Sequence, residues 1–138
     1  MDVQAVAEEI AGKADAIDGL RAFGYPIDHP PLPCAVVVLP DEVTYDQTYG
    51  RGSDRMTVPL FVFVPRSPDR VAADALAAYL SGSGAKSIKA AVDSTDSNTY
   101  TSCDEVTVTR AVTGSYTYNN KDVYGAEFTV DIAGRGGA

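Results

Sequence analysis

The residues able to do chemistry are few, and the single histidine is the first of them. His29 lies in Asp28-His29-Pro30-Pro31, so a Ser-His-Asp or Cys-His mechanism would have to use it. No GxSxG segment, which carries the nucleophile of many hydrolases, accompanies it. A proline-rich arm places a histidine in an interface as readily as in a pocket, and we predict no catalytic role for His29.

Three acidic side chains form the second candidate. Asp41, Glu42 and Asp46 are close enough in sequence to supply a carboxylate pair for acid–base catalysis. Such a pair needs surroundings that raise the pKa of one member, and the sequence offers no partner that would do so. We expect these carboxylates to face water.

Two segments resemble ligand-binding loops only superficially. Gly82-Ser83-Gly84-Ala85-Lys86-Ser87 has alanine where a phosphate loop has glycine before the lysine, and it follows a predicted helix instead of a strand. Asp93, Asp96 and Asn98 lack the alternate-position ligands, central glycine and closing glutamate of an EF-hand. We predict a linker between helices for the first segment and a solvated polar loop for the second.

The two cysteines complete the search for chemistry. Cys34 and Cys103 are far apart in sequence and form no CxxC pair, so neither a zinc site nor a redox motif is indicated. We expect both thiols to be reduced, as in a cytosolic protein. The sequence therefore predicts no catalytic residue, no metal site and no cofactor.

Composition sets the class of protein. At 138 residues the chain fits one domain, residues 1–138, large enough to bury a core. Its formal charge of −8 repels phosphate backbones and anionic lipid, which argues against sequence-specific nucleic-acid binding. The N-terminus lacks the positive and apolar regions of a secretory signal, and no stretch has the length of a membrane span.

Helices are predicted by apolar spacing and by capping residues. The apolar stripe between Val3 and Ile17 is that of an amphipathic helix, with Asp2 as its cap. A second helix has Ser67 as its cap and Pro68 at its first position, and it ends before Gly82. A shorter one is expected around residues 87–92.

Strands are predicted by β-branched runs and by alternation. Pro26 to Pro33 forms an extended arm, and the apolar run 34–39, stopped by Pro40, predicts a buried strand. A long hairpin should follow, and Pro59 in its second arm hints at an edge position or bulge. Two alternating segments near the end predict half-buried antiparallel strands joined by a turn at residues 119–120. The predicted ranges are 43–49 and 56–64 for the hairpin arms, 50–54 for its tip, 106–109 and 128–132 for the late strands, and 134–138 for a flexible tail.

The order of these elements predicts a fold class. Helix, strands, helices and strands follow one another, which favours a single α+β domain with a mostly antiparallel or mixed sheet. The helices should pack on one face of that sheet.

Tyrosine is the most informative residue type, because the chain has eight tyrosines and no tryptophan. Tyrosine combines apolar area with a polar tip and is enriched where protein surfaces meet, although cross-strand stacking explains part of such a set. Arginines near the hairpin tip are candidates for pairing with acids on a neighbouring subunit. The predicted interface residues are Tyr45, Tyr49, Arg51, Asp54, Arg55, Tyr116 and Tyr118.

The layout of nearly the whole chain resembles the tail terminator, or tail completion, proteins of long-tailed bacteriophages. The features that carry the resemblance are arrangement and length. They are the N-terminal helix, the Phe23-Gly24-Tyr25-Pro26 arm followed by residues 30–36, the 56–64 strand running into Ser67-Pro68-Asp69, the late Val-Thr-Val-Thr strand, and the closing strand that begins at Ala126-Glu127-Phe128.

The resemblance implies a non-enzymatic virion protein. Such a protein would form a ring, expected to be hexameric, on the end of the tail tube and would end tube polymerisation. Its partners would be copies of itself, the tail tube protein and the head-tail connector protein, with DNA passing through the bore without specific binding. An acidic chain is suited to such a bore, and we expect the bore to be net negative.

Three alternatives stay open from the sequence. One is another neck or tail component, either a tail tube subunit or a head-completion protein. Another is a small hydrolase that uses His29 or the carboxylates, and the last is a small-ligand binding module on a curved sheet.

Overall fold

The computed structural model describes residues 2–25, 32–45, 52–65, 69–118 and 121–134. His29, Asp46, Tyr49 and Arg51 of the predictions above lie outside these ranges. The elements are α1 (Val3–Asp15), β1 (Arg21–Phe23), β2 (Cys34–Val37), β3 (Val43–Thr44), β4 (Asp54–Pro65), α2 (Asp69–Leu80), α3 (Ile88–Val92), β5 (Glu105–Tyr118) and β6 (Lys121–Gly134).

All six strands belong to one mixed sheet, so the predicted α+β class is confirmed. The strand order is β1-β2-β4-β6-β5, and β3 pairs with β4 beside β2. Only β1 and β2 are parallel, while every other pairing is antiparallel. Strands β1 and β5 therefore end the main strand order, and the two-residue β3 is a short edge strand beside β4.

Helix α1 begins at its predicted cap, Asp2, and the structure shows that Ser87 caps α3. The Asp2 carboxylate accepts the Ala5 N–H at 3.2 Å, and the Ser87 hydroxyl accepts the Ala90 N–H at 3.0 Å. Each bond satisfies a donor that the first helical turn leaves without an intrahelical partner. The cap predicted for α2, Ser67, lies outside the described residues.

The main core lies between the three helices and one face of the sheet. Alternate residues of β4 point into it, and β6 contributes its alternate residues in the same rows. Leu60 and its partner Phe128 are 0% and 2% exposed, and burying one such side chain stabilises the fold by about 2 kcal/mol. The helices supply Val6, Ile10, Ala14, Ala72, Leu76, Tyr79, Ile88 and Val92 to this cluster. The predicted packing of helices on one face is thus the observed one.

The predicted hairpin after Pro40 is real but short. Val43 and Thr44 pair with Met56 and Arg55. Strands β2 and β3 pair with the same edge of β4, one after the other along its length. Pro40 lies in the interruption between these two strands. Pro59, predicted at an edge or bulge, lies in β4 where β2 ends, and its carbonyl accepts the Val38 N–H at 3.1 Å.

One strand was not predicted, and two strand predictions were wrong in extent. The segment before Pro26 contains β1, a short strand paired in parallel with β2. Strands β5 and β6, 14 residues each, form the longest hairpin, whereas the alternation predicted only 106–109 and 128–132. Glycines at 114 and 125 weaken the strand pattern in sequence, although they are directly paired in the sheet. Gly134, predicted in the tail, pairs with Asp54 as the last residue of β6.

Candidate assembly surface

The second face of the sheet, which we call the open face, is covered by no helix in the described part of the chain. Its rows are formed by the residues of β4 that alternate with the core positions, together with their partners on β2 and β6. A small apolar cluster occupies one end of it. The cluster consists of Cys34, Val36, Phe63 and Val123, all buried, with the partly buried side chains of Phe23, Leu32, Val38, Phe61 and Tyr116 around them.

Three aromatic rings organise this apolar end. The Phe61 and Phe63 rings are stacked with centroids 5.8 Å apart, and Tyr116 meets them edge-on at 5.9 and 5.6 Å. Edge-on and offset pairs of this kind are worth about 1 kcal/mol beyond their buried area. Burial, and to a lesser extent the Glu127 carboxylate, raises the pKa of Tyr116. The phenol therefore stays neutral at physiological pH and offers a hydroxyl donor beside apolar area.

Glycine makes room for these rings. Gly125 lies opposite Phe63 on β4 and opposite Gly114 on β5. A Cβ atom at Gly125 would come within 2.8 Å of the Phe63 ring and of the Val62 carbonyl oxygen, and within 3.1 Å of the Tyr116 ring. At Gly114 the only neighbour of such a Cβ is Tyr116, at 4.0 Å. The close packing of the rings on the strand thus depends on Gly125.

The other end of the open face is polar. A groove of about 550 Å³ lies there, and its described lining residues include four acids and one cation, Arg55. The acids are Asp41, Glu42, Glu127 and Asp131. The Thr57 hydroxyl donates to the Asp131 carboxylate at 2.9 Å. The open face therefore has an aromatic end and an acidic end.

The predicted interface residues fall into two groups. Arg55 is exposed and lines the groove. Tyr45 is 67% exposed and is the first residue after β3. Tyr116 lies in the aromatic cluster beside Phe63, eight positions from Arg55 along β4 and thus about 26 Å away. The structure consequently does not bring the predicted residues into one site.

The remaining interface predictions have different outcomes. Asp54 is the first position of β4 and is 4% exposed in the single chain, and its place in an interface stays a prediction. Tyr118 is the last residue of β5 and pairs with Lys121, and only its backbone is described. Tyr49 and Arg51 lie outside the described residues.

Two features of this surface were missed from sequence. Phe61 and Phe63, not the tyrosines alone, build the aromatic end. Their spacing of two residues was the available signal, because alternate residues of a strand share a face. The second missed feature is the outer part of β5, which begins where the predicted strand ended.

The outer edge of β5 has two parts, and the first is capped. We call Glu105–Val108 the capped segment, because residues of α3 and of the loop that follows it satisfy its outward backbone groups. The Asp93 carboxylate accepts the Val108 N–H at 2.7 Å, and Lys89 donates to the Val108 carbonyl at 2.9 Å. The Ser94 hydroxyl accepts the Val106 N–H at 3.0 Å. Asp93 is thus a structural cap and not part of the solvated loop that was predicted.

The second part, Thr109–Thr117, is the open edge. A register shift between Val108 and Arg110 marks its beginning, and from there to Thr117 most residues are exposed. Within the described chain no segment other than β6 gives or accepts a backbone hydrogen bond along it. Unpaired strand edges are templates for pairing with another chain, and proteins usually shield them.

The opposite edge of the sheet is shielded. Asp15, at the end of α1, accepts the Ala22 N–H at 3.0 Å, and the Gln4 amide donates to the Gly24 carbonyl at 3.4 Å. These contacts cap β1 much as Asp93 and Lys89 cap the start of β5.

The candidate sites for chemistry do not assemble into a catalytic arrangement among the described residues. Asp41 and Glu42 are exposed, as predicted, and the 82–87 segment joins α2 to α3, with Lys86 exposed. Asn98 donates to the Ala91 and Asp93 carbonyls at 2.8 and 2.9 Å. Asp93, Asp96 and Asn98 therefore do not form a ligand set, and a search of the described residues found no cluster able to hold a metal ion.

The cysteines are free and buried, on opposite faces of the sheet. Cys103 belongs to the main core and Cys34 to the aromatic end of the open face. Burial raises the pKa of each thiol to about 11. Both are therefore protonated at neutral pH and poorly reactive.

Comparisons with known proteins add no family assignment. Neither the scan against protein-family models nor the search of curated proteins found a match to this chain. Within the described residues, no helix has the length and apolar character needed to cross a bilayer.

Proposed function

We propose that this chain is a non-enzymatic assembly subunit that acts through protein contact surfaces, as a tail terminator of a long-tailed phage. In this proposal copies form a ring, expected to be hexameric, that caps the tail tube, stops tube growth and presents the surface that joins the head connector. The protein would assemble in the host cytoplasm and remain in the tail or neck of the virion.

The observation that carries this proposal is the open face. A six-stranded sheet with helices on one side presents two partly exposed aromatic rings, Phe61 and Tyr116, at one end of the other side and an acidic groove at the other end. Proteins that work alone tend to cover apolar sheet faces, and aromatic patches rimmed by polar groups are typical of contact surfaces. The layout resemblance to tail terminators gives this general role its specific form.

A ring follows from simple geometry if the contact is head-to-tail. Two different patches on one subunit that meet after a fixed rotation produce a closed ring, which cannot grow sideways. A ring of this kind has two unlike ends. One end would match the tube subunit and the other would not, and this difference ends polymerisation.

The charge of the chain supports passage of DNA through such a ring. Nineteen acidic and eleven basic residues give a formal charge of −8. Tight binding to DNA relies on releasing counterions through many cationic contacts, which an acidic wall opposes. DNA would therefore pass without being held.

Negative-stain electron microscopy and mass measurement of the purified chain, with and without tail tubes, test the proposal. Closed rings, and capping of tube ends, are expected. Long tubes formed by the chain alone would instead identify a tail tube subunit. Particles that bind head connectors and ignore tube ends would identify a head-completion protein.

A charge-reversal pair tests the contact surface itself. Arg55→Glu changes the only cation among the described lining residues of the groove, and we expect it to reduce ring formation and tail joining at least about tenfold, because buried charge contacts tolerate reversal poorly. Arg21→Glu, an equal charge change at an exposed residue of β1, is the matched control. Equal activity of both variants would remove Arg55 from the interface.

A further inference from the structure

The open edge of β5 carries an inference that is independent of the ring. We infer that Thr109–Thr117 pairs in antiparallel fashion with the same segment of a second copy of the chain, about a two-fold axis at Thr113. The two sheets would then continue into each other. An interface of this kind is isologous, since each copy contributes the same residues.

The first argument is the contrast with the other edges. Asp93, Lys89 and Ser94 satisfy the outward groups of the capped segment, and Asp15 and Gln4 cap β1. Among the described strands, only the open edge offers a long run of unpaired backbone groups. A second copy therefore has one complementary edge to offer, which is its own Thr109–Thr117.

The second argument is the composition of the open edge. The segment Thr-Arg-Ala-Val-Thr-Gly-Ser-Tyr-Thr has one charge, Arg110, and no acidic residue or proline. Proteins that avoid edge pairing place charged side chains or proline at such positions. Two copies with a charge of −8 each repel one another over most of their surface, and this acid-free segment is where they can approach.

The third argument is side-chain complementarity in the register centred on Thr113. Open-face residues then lie opposite one another across the new ladder, with Val112 facing Gly114 and Arg110 facing Tyr116 of the second copy. Val112, 48% exposed, would cover the space that the glycine leaves, because a Cβ at Gly114 meets nothing closer than 4.0 Å. Arg110 would approach the partly buried Tyr116 ring, a favourable cation–π pair.

The opposite side of the ladder is equally compatible. Thr113 would face its own copy, Ala111 would face Ser115, and Thr109 would face Thr117. These are small, β-favouring or hydroxyl side chains, and cross-strand Thr–Thr pairs are favourable. No like charges meet in this register.

The pairing is a different contact from the proposed ring contact, although Tyr116 of the open face takes part in it. A two-fold pairing of edges cannot build a ring with unlike ends, so it describes the unassembled chain or a face-to-face stack of two rings. Failure of tube capping would remove the proposed function and leave edge pairing intact. Failure of edge pairing would leave the ring contacts on the open face untouched.

Single-cysteine crosslinking tests the register. Thr113→Cys places two thiols across the two-fold axis with Cα atoms about 5.5 Å apart, within disulfide range. Thr117→Cys, an exposed threonine on the same side of β5, is the matched control, since its two copies would be about 27 Å apart along the ladder. We expect the first variant to form covalent dimers at least about tenfold faster under a mild oxidant.

The native thiols do not obscure this result, because Cys34 and Cys103 are 0% and 7% exposed. The double variant Thr109→Cys/Thr117→Cys should also crosslink, because each residue faces the other across the ladder. Equal rates for Thr113→Cys and Thr117→Cys would overturn the inference.

A second measurement does not depend on substituted chains. Mass measurement of the unmodified protein should show a dimer that dissociates on dilution, and hydrogen exchange of Thr109–Thr117 should slow as concentration rises. A monomer with exchange in this segment independent of concentration, or a dimer protected elsewhere, would refute the pairing. Unchanged thermal unfolding of the variants confirms that they are folded.

Discussion

The two halves of β5 belong to one strand yet face different surroundings. The capped segment, Glu105–Val108, directs its outward backbone groups to Asp93, Lys89 and Ser94, and its Val106 and Val108 side chains enter the main core. The open edge, Thr109–Thr117, has backbone partners on β6 alone among the described residues, and its side chains are mostly exposed. The register shift at Arg110 separates the two halves.

This difference shows how the fold divides stability from contact. The capped segment is shielded at the same place where the helices pack, so the protein stabilises its core and protects its edge with one set of residues. Beyond the region where the helices pack, β5 is held by its pairing with β6 and by the aromatic rings of the open face. A strand that satisfies its neighbours on one side only is available to another molecule on the other side.

The largest loss of stability should come from filling the space in which the aromatic rings pack against β6. Gly125→Ala brings a methyl group within 2.8 Å of the Val62 carbonyl oxygen and the Phe63 ring, and we expect a loss of about 3 kcal/mol in the free energy of unfolding. Gly114→Ala, at the directly paired position, should change stability by less than about 0.5 kcal/mol, because its nearest neighbour is 4.0 Å away. Urea unfolding of both variants measures the difference, and equal losses would mean that the rings do not press on Gly125.

Removal of the Asp93 carboxylate, the main cap, should erase the difference in amide exchange between the two halves of β5. Asp93→Ala leaves the Val108 N–H without its acceptor and Lys89 without its 2.7 Å ion pair, and we expect a loss of about 2 kcal/mol. Amide exchange at Val106 and Val108 should rise toward that of the open edge. Asp96→Ala, an exposed acid in the same loop, is the control for the lost charge and should be nearly neutral. An unchanged exchange rate at Val108 would contradict the capping role.

The sequence predicted the elements with strong local signals. Helix α1 with its cap Asp2, the short helix around residues 87–92, and the buried run that begins at Cys34 were predicted correctly, because capping residues and apolar spacing act over a few neighbouring positions. The α+β class followed from their order.

What sequence could not provide were features that depend on distant partners. The strand β1 exists because Asp15 and β2 satisfy its backbone, and three residues carry no periodic signal of their own. Strand β5 extends past Thr109 because β6 pairs with it, although Gly114 weakens its local pattern. Asp93 was read as solvated because a polar loop and an edge cap have the same composition, and only the fold distinguishes them.

The loop that leads into the capped segment depends on Glu9. Its carboxylate accepts the N–H groups of Thr101 and Ser102, at 3.0 and 2.9 Å, and so joins α1 to this loop. Burial raises the pKa of Glu9, but the hydrogen bonds from Ser102 and Thr101 and the charge of Lys13 outweigh it, so the pKa is lowered from 4.5. A lowered pKa stabilises the fold above the unfolded value, and this contribution is lost as the pH falls through the folded value.

Glu9→Gln should therefore reduce stability by about 1 kcal/mol at neutral pH, and the loss should shrink as the pH falls below about 4.5. Thermal unfolding of both chains between neutral pH and acid measures this convergence. Glu8→Gln, an exposed neighbour on the same helix, provides the comparison. A difference that stays constant with pH would show that the carboxylate charge is not what holds the loop.

The smallest effect is expected at the far edge of the sheet, where one exposed carboxylate accepts the Ala22 N–H. Asp15→Ala removes the acceptor of the Ala22 N–H, and we expect a loss of only about 0.5 kcal/mol because water can reach that group. Asp18→Ala, an exposed acid three positions away, removes the same charge without a cap. If capping is what keeps β1 from pairing with other chains, the Asp15 variant alone should self-associate more strongly at high concentration, as measured by light scattering. Equal scattering from both variants would show that the Asp15 cap does not protect β1 from pairing with other chains. The protective role of capping would then be limited to β5.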